Sequence, residues 1–155
     1  MKVSAKADYA VRAAVELAAM REGDPPRRVK GDQIATAQGI PIKFLENILL
    51  DLRQSGLVNS RRGPDGGYWL SRPADEITVA DVIRAADGPL ASVRGEKPED
   101  LRYEGSAKEL ATVWVALRSS LREVLEQVTL ADVAGGSVPA AITSRTDDPD
   151  AWKRR

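Results

Sequence analysis

Apolar residues recur at three- and four-residue steps from the start of the chain. Ala7, Ala10, Val11, Ala14, Leu17 and Ala18 fall on one face of a helix predicted over residues 4–20, with Ser4 as its N-cap. The alanines keep that face thin, which suits close packing of one helix on another, and Gly23-Asp24-Pro25-Pro26 then breaks the pattern. A short helix is predicted over residues 31–38 with Ile34 and Ala35 inward; it is weakly capped, because Lys30 stands where Ser or Thr is favoured. Gly39-Ile40-Pro41 makes a tight turn, and Pro41 suits the first turn of a third helix over 41–55. Ile42, Leu45, Ile48, Leu49 and Leu52 form the inner face of that helix, and Gly56 is placed to end it.

The period then changes. Leu57 to Arg61 and Tyr68 to Ser71 read as strands joined by the reversal Gly63-Pro64-Asp65-Gly66-Gly67. Residues 78–87 return to a helix, with Thr78 as N-cap and Gly88-Pro89 as stop. Residues 88–105 carry Gly, Pro and charge without period and read as a loop. From Ser106 to about Val128 a long helix of roughly 35 Å is predicted. Within it Leu110, Trp114, Leu117, Leu121, Val124 and Val128 are spaced as a heptad seam, the pattern of a helix paired with a second copy. The final stretch is rich in Gly, Pro, Ser and Thr with a DDPD run, and reads as a mobile tail. The expected fold is mostly α with a small β-hairpin. Helix, tight turn, helix and hairpin stand in the order of a winged helix-turn-helix domain (residues 1–88), followed by an effector or linker loop (89–105), a dimerisation helix (106–133) and a disordered tail (134–155).

Composition narrows the chemistry. The chain has neither cysteine nor histidine, which removes disulfides, zinc ribbons, thiolate-ligated iron–sulfur clusters and His-based triads. No Asp/Glu spacing points to a carboxylate metal site, so neither a metal nor a cofactor is expected. No general base for neutral pH, nucleophile elbow or phosphate loop is present, so an enzyme is not expected. There is no run of 18 apolar residues and no apolar signal core, so a soluble cytoplasmic protein without a membrane partner is expected. The net charge of zero hides an asymmetry: residues 1–73 hold 12 Lys/Arg against 8 Asp/Glu, whereas 74–155 hold 11 against 15. A net +4 in the first half and −4 in the second directs an anionic partner to the first.

With the stripe of the third helix turned inward, Lys43, Phe44, Glu46 and Asn47 face outward near its first turns. These are residue types that read a major groove: Lys for guanine or phosphate, Asn for adenine, Glu for the cytosine amine. Arg61 and Arg62 sit at the hairpin tip, where paired guanidinium groups can enter a minor groove or clamp phosphates. The neighbouring glycines allow positive φ and a close backbone approach to phosphate oxygens.

Residues 40–73 resemble the signature of the Rrf-two family of bacterial regulators. The matching residues are Ile40-Pro41, Lys43, Phe44-Leu45-Glu46, Leu49 and Leu52, Gly56-Leu57-Val58, and the wing from Arg62-Gly63 to Tyr68. KADYAVRAAVELA and ITVADVIRAADG are also similar to the family, so the likeness covers residues 2–128. It implies a homodimer of winged helix-turn-helix domains held by the long C-terminal helix, which crosses to the partner, with double-stranded DNA as the ligand. The DNA-binding set is then Pro41, Lys43, Phe44, Glu46 and Asn47 with Arg61, Arg62, Gly63, Gly66, Gly67 and Tyr68. Leu110, Trp114, Leu117, Leu121, Val124 and Val128 form the dimer seam. Cluster-binding members carry three cysteines in the loop that here runs from Gly88 to Gly105. This loop has none, so the chain resembles a cysteine-free member without a cluster. In their place Arg94, Lys97, Arg102 and Tyr103, with Trp114 beneath, suit an acidic small-molecule effector.

The expected function is sequence-specific transcriptional regulation through a pseudo-palindromic operator, with two recognition helices about 34 Å apart, or a multiple of that. Nothing in the chain resembles a polymerase-contacting domain, so repression by occlusion is the expected mode. A second reading is a regulatory interaction protein that docks onto a metabolic enzyme through its acidic half.

Overall fold

A computed structural model describes residues 2–21 and 23–154; Met1, Glu22 and Arg155, which fall within the expected first domain and tail, lie outside the described residues. The first helix, α1 (Ala5–Ala19), starts where the hydroxyl of Ser4 accepts from the Ala7 N–H at 2.9 Å. Its alanine face, Ala7, Ala10, Ala13 and Ala14, is buried. With so little side chain between them, α2 (Gly31–Gln38), α3 (Ile42–Gln54) and α4 (Val79–Asp87) all pack close to α1. The Lys30 N–H at the start of α2 is met by the Gln33 side chain at 3.0 Å, and Gly39 closes the helix with φ near 61°.

Leu45, Ile48, Leu49 and Leu52 of α3 are buried, as the stripe predicts. Ile42 is the exception. It stands at the first turn, beyond the edge of the core, and is 43% exposed. Strands β1 (Val58–Arg61) and β2 (Gly67–Leu70) pair antiparallel, with Val58 opposite Leu70 and Arg61 opposite Gly67. The base of this hairpin is tied to the end of α3: Ser71 donates through its N–H to the Leu57 carbonyl and through its hydroxyl to that of Gly56.

The long helix is shorter than its heptad pattern predicts. α5 spans Leu110–Leu125, and the chain then bends to begin a separate helix, α6 (Leu130–Ala134). The continuous segment 106–133 is therefore divided, and Val128 leaves the seam for the core of the first domain, where it is 8% exposed. The cause lies in a repeated four-residue cap. Thr78-Val79-Ala80-Asp81 starts α4 and Thr129-Leu130-Ala131-Asp132 starts α6. In each, the Thr hydroxyl accepts from the Asp N–H and the Asp carboxylate accepts from the Thr N–H. The two caps lie side by side, with the Val79 N–H donating to the Val128 carbonyl and the Leu130 N–H to that of Ile77, both at 2.9 Å. Leu130 is fully buried, and α6 packs on α1.

Two carboxylates at this junction are held below their ordinary values. The Thr129 N–H lowers Asp132, and the Arg84 and Arg122 guanidinium groups lower Glu126. Groups lowered on folding stabilise above the unfolded value and lose that contribution as pH falls. The docking of α6 should therefore loosen below a pH of about 4.5, the ordinary value for Glu126. Hydrogen-exchange protection of the Leu130 amide at pH 6 and pH 3 measures this, and equal protection at both would contradict it.

Residues 88–105 are more structured than a loop without period suggests. Val93 and Glu96 exchange both backbone hydrogen bonds around Arg94-Gly95, whose φ values of 57° and 81° make a tight two-residue reversal. Pro98 and Leu101 are buried, and the 3₁₀ turn Pro98–Asp100 packs on α5. The segment expected as a disordered tail forms short turns, α7 (Ala140–Thr143) and 3₁₀ turns at Ser144–Thr146 and Pro149–Trp152. Arg145 ties them to Glu123 of α5 at 2.7 Å. No helix among the described residues is long and apolar enough to cross a membrane.

Candidate nucleic-acid interface

Pinning four leucine and isoleucine side chains of α3 in the core leaves the opposite face outward, and Lys43, Phe44, Glu46 and Asn47 are all exposed there. Pro41 is exposed at the helix start. Phe44 is 58% exposed and meets the Tyr9 ring of α1 edge-on at 6.4 Å, so it sits on the flank of the face. Leu50, also exposed at 41%, lies one turn beyond Glu46 and Asn47 on the same outward side. In the sequence it is masked by its neighbour Leu49, which takes the core position. Asp51, further along α3, is paired with Lys6 of α1 at 2.8 Å.

Arg61, Arg62 and Gly63 are exposed at the hairpin tip, as the turn predicts. Gly66 and Gly67 are buried, because the chain packs against itself there. A Cβ on Gly66 would lie 2.1 Å from the Arg61 carbonyl oxygen, and one on Gly67 would lie 2.7 Å from that of Val29. These two glycines serve the closure of the turn. Tyr68 is half-buried, its backbone engaged with Val29 through hydrogen bonds of 2.9 and 2.8 Å.

That pairing brings in residues that periodicity does not reveal. Val29 extends the hairpin sheet by one bridge and carries Arg28 and Lys30 to the wing. Arg28 donates to the Asp65 carbonyl at 2.9 Å and lies over the Trp69 ring; Lys30 donates to the Gly63 carbonyl at 2.8 Å. The alternation of Arg28, Val29 and Lys30 is the only local signal, and one bridge is too short to read as a strand.

Residues of the expected effector loop turn to one another. The Arg94 guanidinium lies over the Tyr103 ring, the Tyr103 hydroxyl accepts from the Trp114 indole at 3.1 Å, and Arg102 donates to the carbonyls of Glu99 and Leu101. Glu99 pairs with Arg118, while Lys97 is exposed. Trp114, Arg118, Leu121 and Leu125 thus face their own chain; the two leucines line a pocket of about 330 Å³ with Val3, Ser4, Ile83 and Leu90. The adjoining face of α5 carries Val113, 53% exposed, with Leu117, Ser120 and Val124 following at three- and four-residue steps.

A helix-turn-helix whose second helix presents a polar face beside a basic, glycine-closed hairpin is a winged helix-turn-helix module. Residues 3–136 match the family model Rrf2, described as iron-dependent transcriptional regulator. The chain belongs to the Rrf2 family of transcriptional regulators. It is 54% identical over 148 residues to an HTH-type transcriptional regulator of Mycobacterium tuberculosis, covering 96% of this chain and 90% of the relative. Among solved structures it resembles CymR, the global cysteine regulator of B. subtilis, with a TM-score of 0.71 and 34% identity, covering 88% of this chain and 98% of that one. It also resembles IscR of T. potens, with a TM-score of 0.65 and 32% identity, covering 100% and 93%.

The donor set does not fit the iron in the family description. The chain has no cysteine or histidine, and no group of three or more acidic side chains that could hold a metal ion occurs among the described residues. Glu99, in the loop after α4, is committed to Arg118.

Proposed function

We propose that this chain is a sequence-specific DNA-binding repressor that occludes a pseudo-palindromic operator as a homodimer, with no metal cluster in its switch. The observation that carries the reading is the joint exposure of Lys43, Glu46 and Asn47 on α3 and of Arg61 and Arg62 on the adjoining wing tip. The helix supplies donors and acceptors for base edges, and the wing arginines supply charge for phosphates or a minor groove. The Val113, Leu117, Ser120 and Val124 face of α5 is the surface for the second copy. It keeps Leu117 and Val124 from the heptad seam and exchanges Trp114 and Leu121, which face their own chain, for Val113.

The test is fluorescence anisotropy on the chain's own upstream DNA across a salt series. Replacing Arg61 and Arg62 together by Ala should weaken binding and reduce the slope of log affinity against log salt by about 0.9 for each phosphate no longer neutralised. An unchanged slope would remove the wing from the interface. Failure of the parent protein to bind at low salt would defeat the regulator reading.

A further inference from the structure

We infer that Arg28 and Lys30 are positioning residues that lock the wing turn into its DNA-competent shape before DNA arrives, an inference that rests on the DNA-binding reading. A hairpin with four residues in each strand is marginal in water, and its tip carries the two exposed arginines. Something must hold it. Val29 is buried and pairs with Tyr68, so its neighbours Arg28 and Lys30 project to the opposite side, across the turn. Their donors end on the carbonyls of Asp65 and Gly63, the two ends of the Gly63-Pro64-Asp65 reversal. The Gly63 carbonyl also accepts the turn's own bond from the Gly66 N–H at 3.0 Å.

The Trp69 ring under the Arg28 guanidinium, at 5.4 Å, restricts that side chain further. Two cations are therefore engaged by the turn backbone, and among the described residues Arg61 and Arg62 are the tip cations left exposed to solvent. A direct phosphate contact by Arg28 or Lys30 would require these bonds to break. Restricting the turn in advance removes the cost of ordering it on binding, which is the general advantage of preorganisation.

The double variant Arg28→Ala/Lys30→Ala tests this against Arg61→Ala/Arg62→Ala in two assays. In the DNA-free protein, exchange of the Gly66 amide should accelerate in the first variant and stay at the parent rate in the second. On operator DNA the first should lose about tenfold in affinity, within what ordering two long side chains and a turn can contribute, while keeping a salt slope close to the parent's. The charge-preserving pair Arg28→Lys/Lys30→Arg should recover most of the loss. Unchanged Gly66 exchange, or a slope that falls as far as that of the Arg61/Arg62 variant, would overturn the positioning role. The exchange assay needs no DNA, so a protein that fails to bind would defeat the proposed function and still leave the lock decided.

Discussion

Gly66→Ala is expected to cost the protein both stability and its wing. The new methyl group would meet the Arg61 carbonyl oxygen at 2.1 Å and the Arg62 carbonyl carbon at 2.7 Å. Overpacking against movable side chains costs about 1–3 kcal/mol. Here the obstacle is the partner stretch of backbone, so the loss should reach the top of that range, about 3 kcal/mol. Opening the hairpin would also break the register that sets Arg61 opposite Gly67 and pull Tyr68 from Val29. Thermal denaturation should show the loss, and operator affinity read by anisotropy should fall by more than tenfold. Gly63→Ala is the comparison: φ is 101° there, but among the described residues nothing beyond its chain neighbours lies within 4 Å of the added Cβ, so only backbone strain is added. Equal melting temperatures for the two variants would contradict the packing argument.

Leu117→Asp should convert the proposed dimer to a monomer with little change in secondary structure. Leu117 is half-buried in the single chain, so a carboxylate there retains water until a second copy covers it. Burying an unpaired charge against the partner then costs about 3–5 kcal/mol, more than most such interfaces can offset. Light scattering would report the mass. Operator affinity should fall by at least about a hundredfold, because joining two half-site modules contributes a factor of that order. Val115→Asp, on the opposite side of α5 and 37% exposed, should leave mass and affinity unaltered. A Leu117→Asp protein that stays dimeric would move the interface elsewhere.

The elements with strong local signals were legible in the sequence. Ser4 and Thr78 cap where expected, and Gly56 follows the end of α3 with φ of 75°. The division between α5 and α6 was hidden because Val128 continues the heptad spacing while belonging to another surface. The repeated Thr-x-Ala-Asp cap was the signal that outweighed it, since a cap pair satisfies backbone groups that a heptad position does not. Trp114 follows the same spacing, and in the single chain its indole N–H donates to the Tyr103 hydroxyl of the preceding loop. For the candidate site, the outward residues of α3 and the tip arginines followed from periodicity and turn chemistry. Arg28 and Lys30 did not, because more than thirty residues separate them from the carbonyls they hold. At Gly66 and Gly67 the folded hairpin adds a second demand, a close backbone approach that leaves no room for a Cβ.

The paired caps also bear on what kind of ruler the protein is. α5 is fastened to the rest of the chain at two points, near its middle through Arg118 and Glu99 and beyond its C-terminal end through Val128, Val79 and the docked α6. A spoke held at one point can swing; held at two, it transmits. In the proposed dimer the separation of the two reading heads becomes a dimension of the protein. One extra base pair between half-sites turns one of them by about 35° about the DNA axis, at 10–10.5 base pairs per turn. With the protein unable to follow, the DNA must twist or bend to meet it, at an energy set by the uncontacted steps in between. Such a regulator sorts its operators by the stiffness of their centres as well as by the letters at their edges.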